Sequence, residues 1–301
     1  MKILITGAWP CEEDSVFKLK KMGHEVLFHQ DEKEMVNPIG CMVDAVICNA
    51  LFVYNDINKF KNLKIIQLTS AGLDRVPLEK IQERDIKLYN ARGVYSIPMA
   101  EFAVGGVLQL YKQSCFFNEN KKLKKWEKCR DVLELYKKQV CIVGCGSVGT
   151  ECAKRFKAFG CEVFGIDVVP FESDFYDKMV SLNELDEVLK GADIVVLTLP
   201  LTEETVHLFD ESRFDAMKNG SVLVNIARGK IVSEKDLIKA LDEKLYGAVL
   251  DVFEQEPLPC ESLLWNMPNV IITPHNSFVG DSNSERLFDV ICKNLERGLE
   301  T

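Results

Sequence analysis

The sequence predicts an α/β protein with two open parallel-sheet domains and a cleft between them. Three features support this fold class. The chain has 301 residues, which is long for one domain and enough for two separate cores. Short apolar runs alternate with helix-length segments in both halves, as in parallel sheets with crossover helices. A polar, lysine-rich stretch at residues 115–138 separates the two halves and is predicted to be a linker with some helix.

The first half contains five strand-like apolar runs. They lie at residues 3–6, 25–29, 45–48, 64–68 and 86–89. A helix is predicted at Glu13–Met22, where Gly23 ends it. Pro98 precedes a mostly apolar stretch that runs to about Tyr111. Because proline suits the first turn of a helix, a long helix is predicted to begin there.

The second half shows a more regular alternation. Strands are predicted at residues 139–143, 162–166, 193–197, 221–225, 247–250 and 269–272, and helices at 148–159, 182–189, 234–241 and 282–299. Because ligands of open parallel sheets bind beyond the carboxyl ends of the strands, the loops that follow these strands are the places to search for a site.

The composition excludes several classes of protein. Hydrophobic residues make up 47% and charged residues 28%, which is typical of a folded domain and not of a disordered chain. A net charge of -9 argues against a nucleic-acid or membrane-surface partner, since both select lysine and arginine. The basic run at residues 121–125 is most simply a solvated helix face or loop. No apolar run approaches the ~20 residues of a membrane span.

Cysteine and histidine usage predicts a cytoplasmic protein without a metal site. The 11 cysteines are odd in number and include no Cys-x-x-Cys pair, so we expect free thiols in a reducing compartment. The four histidines form no ligand-spaced cluster with them. The chain starts directly in a strand pattern at Met1–Gly7, so no secretory signal is expected.

A glycine-rich turn predicts a dinucleotide site. Gly144, Gly146 and Gly149 follow a predicted strand and open a predicted helix. These glycines would allow a tight turn, close approach of a pyrophosphate and close helix packing. Asp167 ends the next strand, where a carboxylate can hold ribose hydroxyls and repel a 2′-phosphate. A Rossmann domain that prefers NAD is therefore predicted, and a glycine turn without a ligand is the alternative.

Three polar residues follow strands of the second half. Arg228, Glu256 and His275 come after the runs that end at residues 225, 250 and 272. Reduction of a 2-keto acid needs a guanidinium to hold the carboxylate and a proton donor such as histidine. A neighbouring carboxylate would orient that histidine. Taken singly, each residue could equally be a solvated or structural side chain.

The motifs resemble those of the D-isomer-specific 2-hydroxyacid dehydrogenase family over most of the chain. The matching segments are Thr69–Asp74, Asn90–Gly93, Met99–Phe102, Gly144–Gly149 with Asp167, Leu199–Thr202 with Thr205, Asn225–Gly229, Leu250–Pro257 and Thr273–His275. The resemblance implies a flavodoxin-like substrate domain at residues 1–97 plus 276–301 and a Rossmann NAD-binding domain at 98–275. It also implies a homodimer, and a last helix that returns to the first domain.

The resemblance assigns roles to individual residues. Arg228 matches the arginine that binds the substrate carboxylate, His275 the general acid/base, and Glu256 the acid paired with it. Glu254 is the rival for that pairing, but the glutamate before the proline fits the motif. Amides of Ala71 and Gly72 match a second carboxylate-binding loop. Positions expected to contact the cofactor are Gly144, Gly146, Ser147, Val148, Gly149, Asp167, Pro200, Thr205, Ala227 and Asp251, the last near the nicotinamide carboxamide.

Two questions remain open from the sequence. The resemblance implies that the substrate is a small 2-keto or 2-hydroxy acid, either a bulkier keto acid or hydroxypyruvate or glyoxylate. The first domain lacks the substrate-loop pattern of phosphoglycerate dehydrogenases, which argues against 3-phosphoglycerate. The alternative hypothesis, from a different functional class, is an NADH-sensing binding protein without turnover. The intact Arg228, Glu256 and His275 argue against it.

Overall fold

The computed structural model describes residues 1–299, which form twelve β-strands and ten α-helices. The strands are β1 (Lys2–Thr6), β2 (Glu25–His29), β3 (Ala45–Cys48), β4 (Ile65–Leu68), β5 (Lys87–Tyr89), β6 (Gln139–Val143), β7 (Glu162–Asp167), β8 (Lys178–Ser181), β9 (Ile194–Leu197), β10 (Val222–Asn225), β11 (Gly247–Leu250) and β12 (Val270–Ile272). The helices are α1 (Glu13–Lys21), α2 (Leu51–Tyr54), α3 (Leu78–Glu83), α4 (Ser96–Tyr111), α5 (Ser114–Lys122), α6 (Ser147–Ala158), α7 (Leu185–Leu189), α8 (Glu211–Ala216), α9 (Glu234–Glu243) and α10 (Asn283–Leu299).

The first compact unit comprises residues 1–95 together with the chain from Gly280 onward. Its five strands are all parallel in the order β2-β1-β3-β4-β5, which is the flavodoxin-type order. Alternate side chains of β1 enter different cores, with Ile3 and Ile5 on one face of the sheet and Leu4 on the other. Helix α10 packs on β4, so the end of the chain completes this unit.

The second compact unit comprises Ser96–Val279. Its seven parallel strands run in the order β12-β11-β10-β9-β6-β7-β8. The chain direction across the sheet reverses between β6 and β9, and such a switch point is where open α/β sheets bind ligands. Apolar cores cover both faces, since Cys141 and Val143 pack on one side and Val140 and Ile142 on the other. This arrangement is the Rossmann order with one further strand.

The prediction of two open parallel sheets is confirmed, and the differences are local. Strand β8 is not predicted by the sequence pattern, because it is a short edge strand with a lysine at one end and a serine at the other. Helix α8 is also missed. Its amphipathic pattern is only six residues long, although the Asp210 side chain caps it by accepting from the Arg213 N–H. Helix α4 begins at Ser96, two residues before the proline that signals it.

Among residues 1–299 no helix combines the length and the apolar composition that crossing a bilayer requires.

Candidate active site

The glycine turn between β6 and α6 is shaped for a close ligand. Gly144 has a φ of +93°, and a Cβ atom there would lie 2.6 Å from the Leu199 nitrogen. A Cβ atom on Gly149 would lie 2.2 Å from the Gly144 oxygen, so α6 can approach the glycine turn this closely only because residue 149 has no side chain. At Gly146 a Cβ atom would meet nothing within 4 Å, which leaves open space above the turn. The first turn of α6 contains no acidic side chain. These features fit a pyrophosphate at the helix N-terminus.

Asp167 lies at the end of β7 and folds back onto this turn. Its Oδ2 accepts a hydrogen bond of 2.7 Å from the Cys145 N–H, and its Oδ1 accepts one of 3.4 Å from the Val169 N–H. One amide of the glycine turn is thus bound by Asp167. The carboxylate is thereby held beside the turn, which is where the ribose of a dinucleotide is expected.

Cys145 is the unusual residue of the glycine turn. Its side chain is 3% exposed, and burial raises the pKa of the thiol to about 12. The thiol sits against the carbonyl oxygens of Ile142 and Ile166 at 3.7 and 3.5 Å. Because thiolate is the reactive form, this cysteine is an inert packing residue.

Pro200 and Thr205 form a compact turn after β9. The Thr205 hydroxyl donates to the Pro200 carbonyl oxygen at 2.8 Å and accepts from the Thr202 N–H at 2.7 Å. The side chain is 9% exposed. The predicted cofactor contact of Thr205 stays a prediction, and its hydroxyl holds the shape of the turn.

Arg228 follows β10 on a loop that Asn225 holds. The buried Asn225 side chain donates to the Arg228 carbonyl oxygen at 3.1 Å and accepts from the Ala227 N–H at 3.1 Å. The Arg228 guanidinium is half-buried and donates to the Ala227 carbonyl oxygen at 2.8 Å. Within residues 1–299 no other acceptor is bonded to the guanidinium, which leaves four of its five N–H donors for a ligand or water.

Asp251 directly follows β11 and fastens the loop that follows β12. Its side chain is fully buried. Its Oδ1 accepts from the Thr273 hydroxyl and the Asn276 N–H at 2.6 Å each, and its Oδ2 accepts from the Ser277 N–H at 2.9 Å. The His275 N–H donates to the Asp251 carbonyl oxygen at 2.8 Å. Asp251 therefore positions the His275 loop, and the predicted contact with the carboxamide stays a prediction.

His275 and Glu256 form a hydrogen-bonded pair. The His275 Nδ1 lies 2.9 Å from the Glu256 Oε2, and the other Glu256 oxygen accepts from the Phe253 N–H at 3.1 Å. The carboxylate is thus fixed at both oxygens. The imidazole is 42% exposed, and among residues 1–299 nothing is hydrogen-bonded to its Nε2. A ring held at Nδ1 with a free Nε2 is arranged to exchange a proton with a ligand.

Glu254 lies elsewhere in the same loop. Its Oε1 accepts from the Glu234 N–H at 2.8 Å, and its Oε2 lies 3.4 Å from the His207 Nε2. Between the two glutamates that the sequence offers, it is Glu256 that lies on His275. No feature of the residue spacing could distinguish them, because both carboxylates belong to one irregular loop.

Comparison with known proteins identifies the chain. A sequence profile of the D-isomer specific 2-hydroxyacid dehydrogenase NAD binding domain matches residues 104–277. The chain belongs to the D-isomer-specific 2-hydroxyacid dehydrogenase family. NAD is accordingly the cofactor of the second unit, and the glycine turn and Asp167 fit it. The resemblance found in the sequence motifs is confirmed.

Relatives of this dehydrogenase family match over most of the chain. A D-3-phosphoglycerate dehydrogenase of Methanocaldococcus jannaschii is 31% identical over 99% of this chain, which spans only 57% of that protein. A hydroxypyruvate reductase of Thermotoga maritima is 35% identical over 85% of this chain and 84% of its own length. The solved D-lactate dehydrogenase of Aquifex aeolicus, in complex with NAD and lactic acid, is 26% identical. It has a TM-score of 0.79 and covers 99% of this chain and 95% of its own.

The loop that follows β4 in the first unit contains Ala71 and Gly72. Asn90 holds it by donating to the Ala71 carbonyl oxygen at 2.7 Å, and Ser70 donates to the Gly72 carbonyl oxygen at 3.3 Å. Within the described chain no group accepts from the N–H of Ala71 or Gly72. The two amides are thus available to an anion.

Sequence reasoning missed two polar residues that shape the dehydrogenase site. Asn225 holds the Arg228 loop, and Thr273 bonds to Asp251. Both stand inside the quoted motifs, and a polar residue at the end of an apolar strand is the signal that could have found them. Asn225 acts within its own loop, three residues before Arg228, whereas Thr273 bonds to Asp251 of a separate loop, and residue spacing alone reveals neither bond.

Proposed function

We propose that this chain is an NAD-dependent D-2-hydroxyacid dehydrogenase that reduces a small 2-keto acid. The observation that carries the proposal is the hydrogen bond of 2.9 Å between the His275 Nδ1 and the Glu256 Oε2, at the ends of neighbouring strands. Arg228 follows the next strand of the same sheet edge. The site thus offers a proton donor and a carboxylate ligand at the edge where parallel sheets bind their substrates.

The second unit holds the cofactor and the proton donor. The amides of Gly146, Ser147 and Val148 are assigned to the pyrophosphate, and Asp167 to the ribose. Bound NADH supplies the hydride that C2 of the keto acid receives. On the basis of the family resemblance, the remaining contacts of the cofactor are assigned to Pro200, Thr205, Ala227 and Asp251.

The residues of the site have complementary roles in the proposed reaction. Arg228 binds the substrate carboxylate and, through its positive charge, polarises the neighbouring carbonyl. The amides of Ala71 and Gly72 are further donors to that carboxylate. The protonated His275 gives its Nε2 proton to the oxygen on C2, which becomes the hydroxyl. Glu256 stabilises the imidazolium before transfer and keeps the ring in place afterwards.

A panel of 2-keto acids tests this function. Oxidation of NADH is followed at 340 nm with pyruvate, glyoxylate, hydroxypyruvate, 2-ketoisocaproate and phenylpyruvate, and the hand of every product except the achiral glycolate is determined on a chiral column. We expect turnover of at least one acid, and the D form of each chiral product. Binding of NADH without turnover on any acid would instead support the NADH-sensing alternative.

A hydroxypyruvate or glyoxylate reductase is the second candidate within the same family. The relatives named hydroxypyruvate reductase in Thermotoga maritima and glyoxylate/hydroxypyruvate reductase in Arabidopsis thaliana, both 35% identical, favour it. The same panel decides, because this candidate requires the largest kcat/KM with hydroxypyruvate or glyoxylate.

Asp167 is expected to determine the preference for NADH. Replacing it by serine removes the ribose ligand and the charge that repels a 2′-phosphate, so NADH affinity should fall by about 10- to 100-fold, which corresponds to the roughly 1.4 to 2.8 kcal/mol of a charged hydrogen bond. The ratio of NADH to NADPH affinity should fall as well. Fluorescence titration with both cofactors measures this. An unchanged ratio would remove Asp167 from the ribose site.

We also propose separate binding roles for the two domains, and a homodimeric state for the protein. Residues 1–97 plus 276–301 would bind the substrate and 98–275 the cofactor, in a cytoplasmic homodimer. The eleven free cysteines support a reducing compartment, and the segment after α4 displays a fully exposed Trp126 and a Phe117 that is 41% exposed. Light scattering on a size-exclusion column should give twice the mass of 34.1 kDa, and Trp126→Lys should lower it. A mass of 34.1 kDa for the unmodified protein would contradict the dimer.

A further inference from the structure

Two glutamates in the second unit bind each other's backbone. The N–H of Glu234, the first residue of α9, donates to the Glu254 Oε1 at 2.8 Å. The N–H of Glu254 donates to the Glu234 Oε1 at 2.6 Å. Burial raises the pKa of Glu234, although the N–H of Glu254 opposes this. The exchange ties the loop after β11 to the start of a helix by two hydrogen bonds. We call Glu234 and Glu254 the glutamate clamp.

The glutamate clamp lies against the loop that carries Arg228. A Cβ atom on Gly229 would lie 1.9 Å from the Phe253 carbonyl carbon and 2.5 Å from the Glu254 nitrogen, so the two backbones touch. His207 approaches the same place. Its Nε2 lies 3.4 Å from the Glu254 Oε2, and its N–H donates to the Lys230 carbonyl oxygen at 2.8 Å. The Arg228 loop is therefore confined on the side that faces Glu254.

The glutamate clamp also continues into the acid–base pair. The residue before Glu254 is Phe253, whose N–H donates to the Glu256 Oε1 at 3.1 Å. The other oxygen of Glu256, Oε2, is hydrogen-bonded to the His275 Nδ1. A shift of the backbone at residues 253–254 would thus move the donor that fixes Glu256. It would also move the surface on which Gly229 rests.

We propose that Glu254 is a positioning residue of the reaction, which sets the location of Glu256 and His275 relative to Arg228. This inference rests on the proposed function. Among residues 1–299 Glu254 makes no hydrogen bond or ion pair with His275 or Arg228, and it acts on them through the backbone of Phe253 and Gly229 and through His207. Loss of the clamp should lower kcat and raise KM for the keto acid, because both the acid and the carboxylate ligand shift, and leave NADH affinity unchanged.

Variants of Glu254 separate its hydrogen bond from its charge. In Glu254→Gln the side-chain oxygen can still accept from the Glu234 N–H, so activity should stay within a few-fold of the unmodified protein. In Glu254→Ala that acceptor is lost, and kcat/KM should fall by up to about 10²-fold, as small displacements of reacting groups do. Glu254→Asp keeps the charge but is one methylene shorter, and it replaces the alanine variant if that variant does not fold. Glu261→Ala, an exposed glutamate beyond the clamp, is the matched control.

A spectroscopic measurement makes the test independent of turnover. The proton on the His275 Nδ1 that faces Glu256 gives a resonance in ¹⁵N-histidine-labelled protein, identified by its absence in His275→Ala. We expect it unchanged in Glu254→Gln and Glu261→Ala and shifted or lost in Glu254→Ala or Glu254→Asp. An unchanged resonance together with unchanged kcat/KM in the last two would overturn the positioning role. If the unmodified protein turns over no keto acid, the proposed function fails, whereas the resonance still reports on the clamp.

Discussion

Replacement of His275 by alanine is expected to lower kcat for keto acid reduction by about 10²- to 10⁴-fold, the usual contribution of a general acid. The imidazole is held at Nδ1 by Glu256, and the described chain places no partner on its Nε2. Removing it leaves no proton donor at this position. NADH affinity should stay within about twofold, because the glycine turn and Asp167 are untouched. Stopped-flow kinetics give kcat, and fluorescence titration gives the NADH Kd.

Two further variants make the His275 experiment specific. His29→Ala, in β2 of the first unit, is the control for removal of an imidazole, and its kcat should not change. Glu256→Gln keeps a hydrogen bond to His275 but removes the charge that stabilises the imidazolium. Its kcat should therefore lie between the kcat of His275→Ala and that of His29→Ala. A kcat of His275→Ala within a few-fold of the unmodified protein would assign the proton to another donor.

The fold could be predicted from the sequence because its strands are buried and apolar. Strands such as Ala45–Cys48 and Val222–Asn225 are wholly buried, and Asn225 is the single polar side chain in the latter. Edge strand β8 has no such run, so it was missed. The glycine turn was predictable for a related reason: positive φ at Gly144 and contact at Gly149 admit almost no other residue.

The candidate site could be predicted only in part. Arg228, Glu256 and His275 are detectable because they lie in the loops that follow apolar strands. The bonds that arrange them are not, because the bond between Glu256 and His275 joins separate loops, and the bond from Asn225 to Arg228 depends on the conformation of an irregular loop. Asp251 illustrates this. The family pattern suggests a cofactor contact, which stays a prediction, and residue spacing gives no sign that the two Asp251 oxygens accept from Thr273, Asn276 and Ser277, more than twenty residues away.

The same loops explain why Arg228 and His275 should respond differently to mutation. His275 lies on a loop that Asp251 fastens, and its proposed role is the transfer of one proton. Arg228 lies on the loop that Asn225 holds, and its proposed role is to bind a carboxylate with a fixed array of donors. Loss of a proton donor should appear mainly in kcat, because the keto acid still binds. Loss of the carboxylate ligand should appear in KM as well as in kcat.

Replacement of Arg228 by alanine is therefore expected to lower kcat/KM for keto acids by about 10²- to 10³-fold, comparable to the loss of a charged or oxyanion-type donor in an active site. Arg228→Lys retains the charge but not the planar fork, and should recover only part of the activity. Added guanidinium chloride at millimolar concentration should restore some turnover to the alanine variant and none to the lysine variant. Initial rates across keto acid concentration give kcat and KM separately.

The control for Arg228 removes an exposed arginine of equal charge. Arg130→Ala lies in the segment between α5 and β6, and its kinetics should match those of the unmodified protein. Arg228→Ala should also lose discrimination between a keto acid and its methyl ester, because the ester lacks the charged carboxylate that Arg228 is proposed to bind. If the alanine variant still prefers the free acid by the same factor, the carboxylate ligand is another group, and the amides of Ala71 and Gly72 become the next candidates.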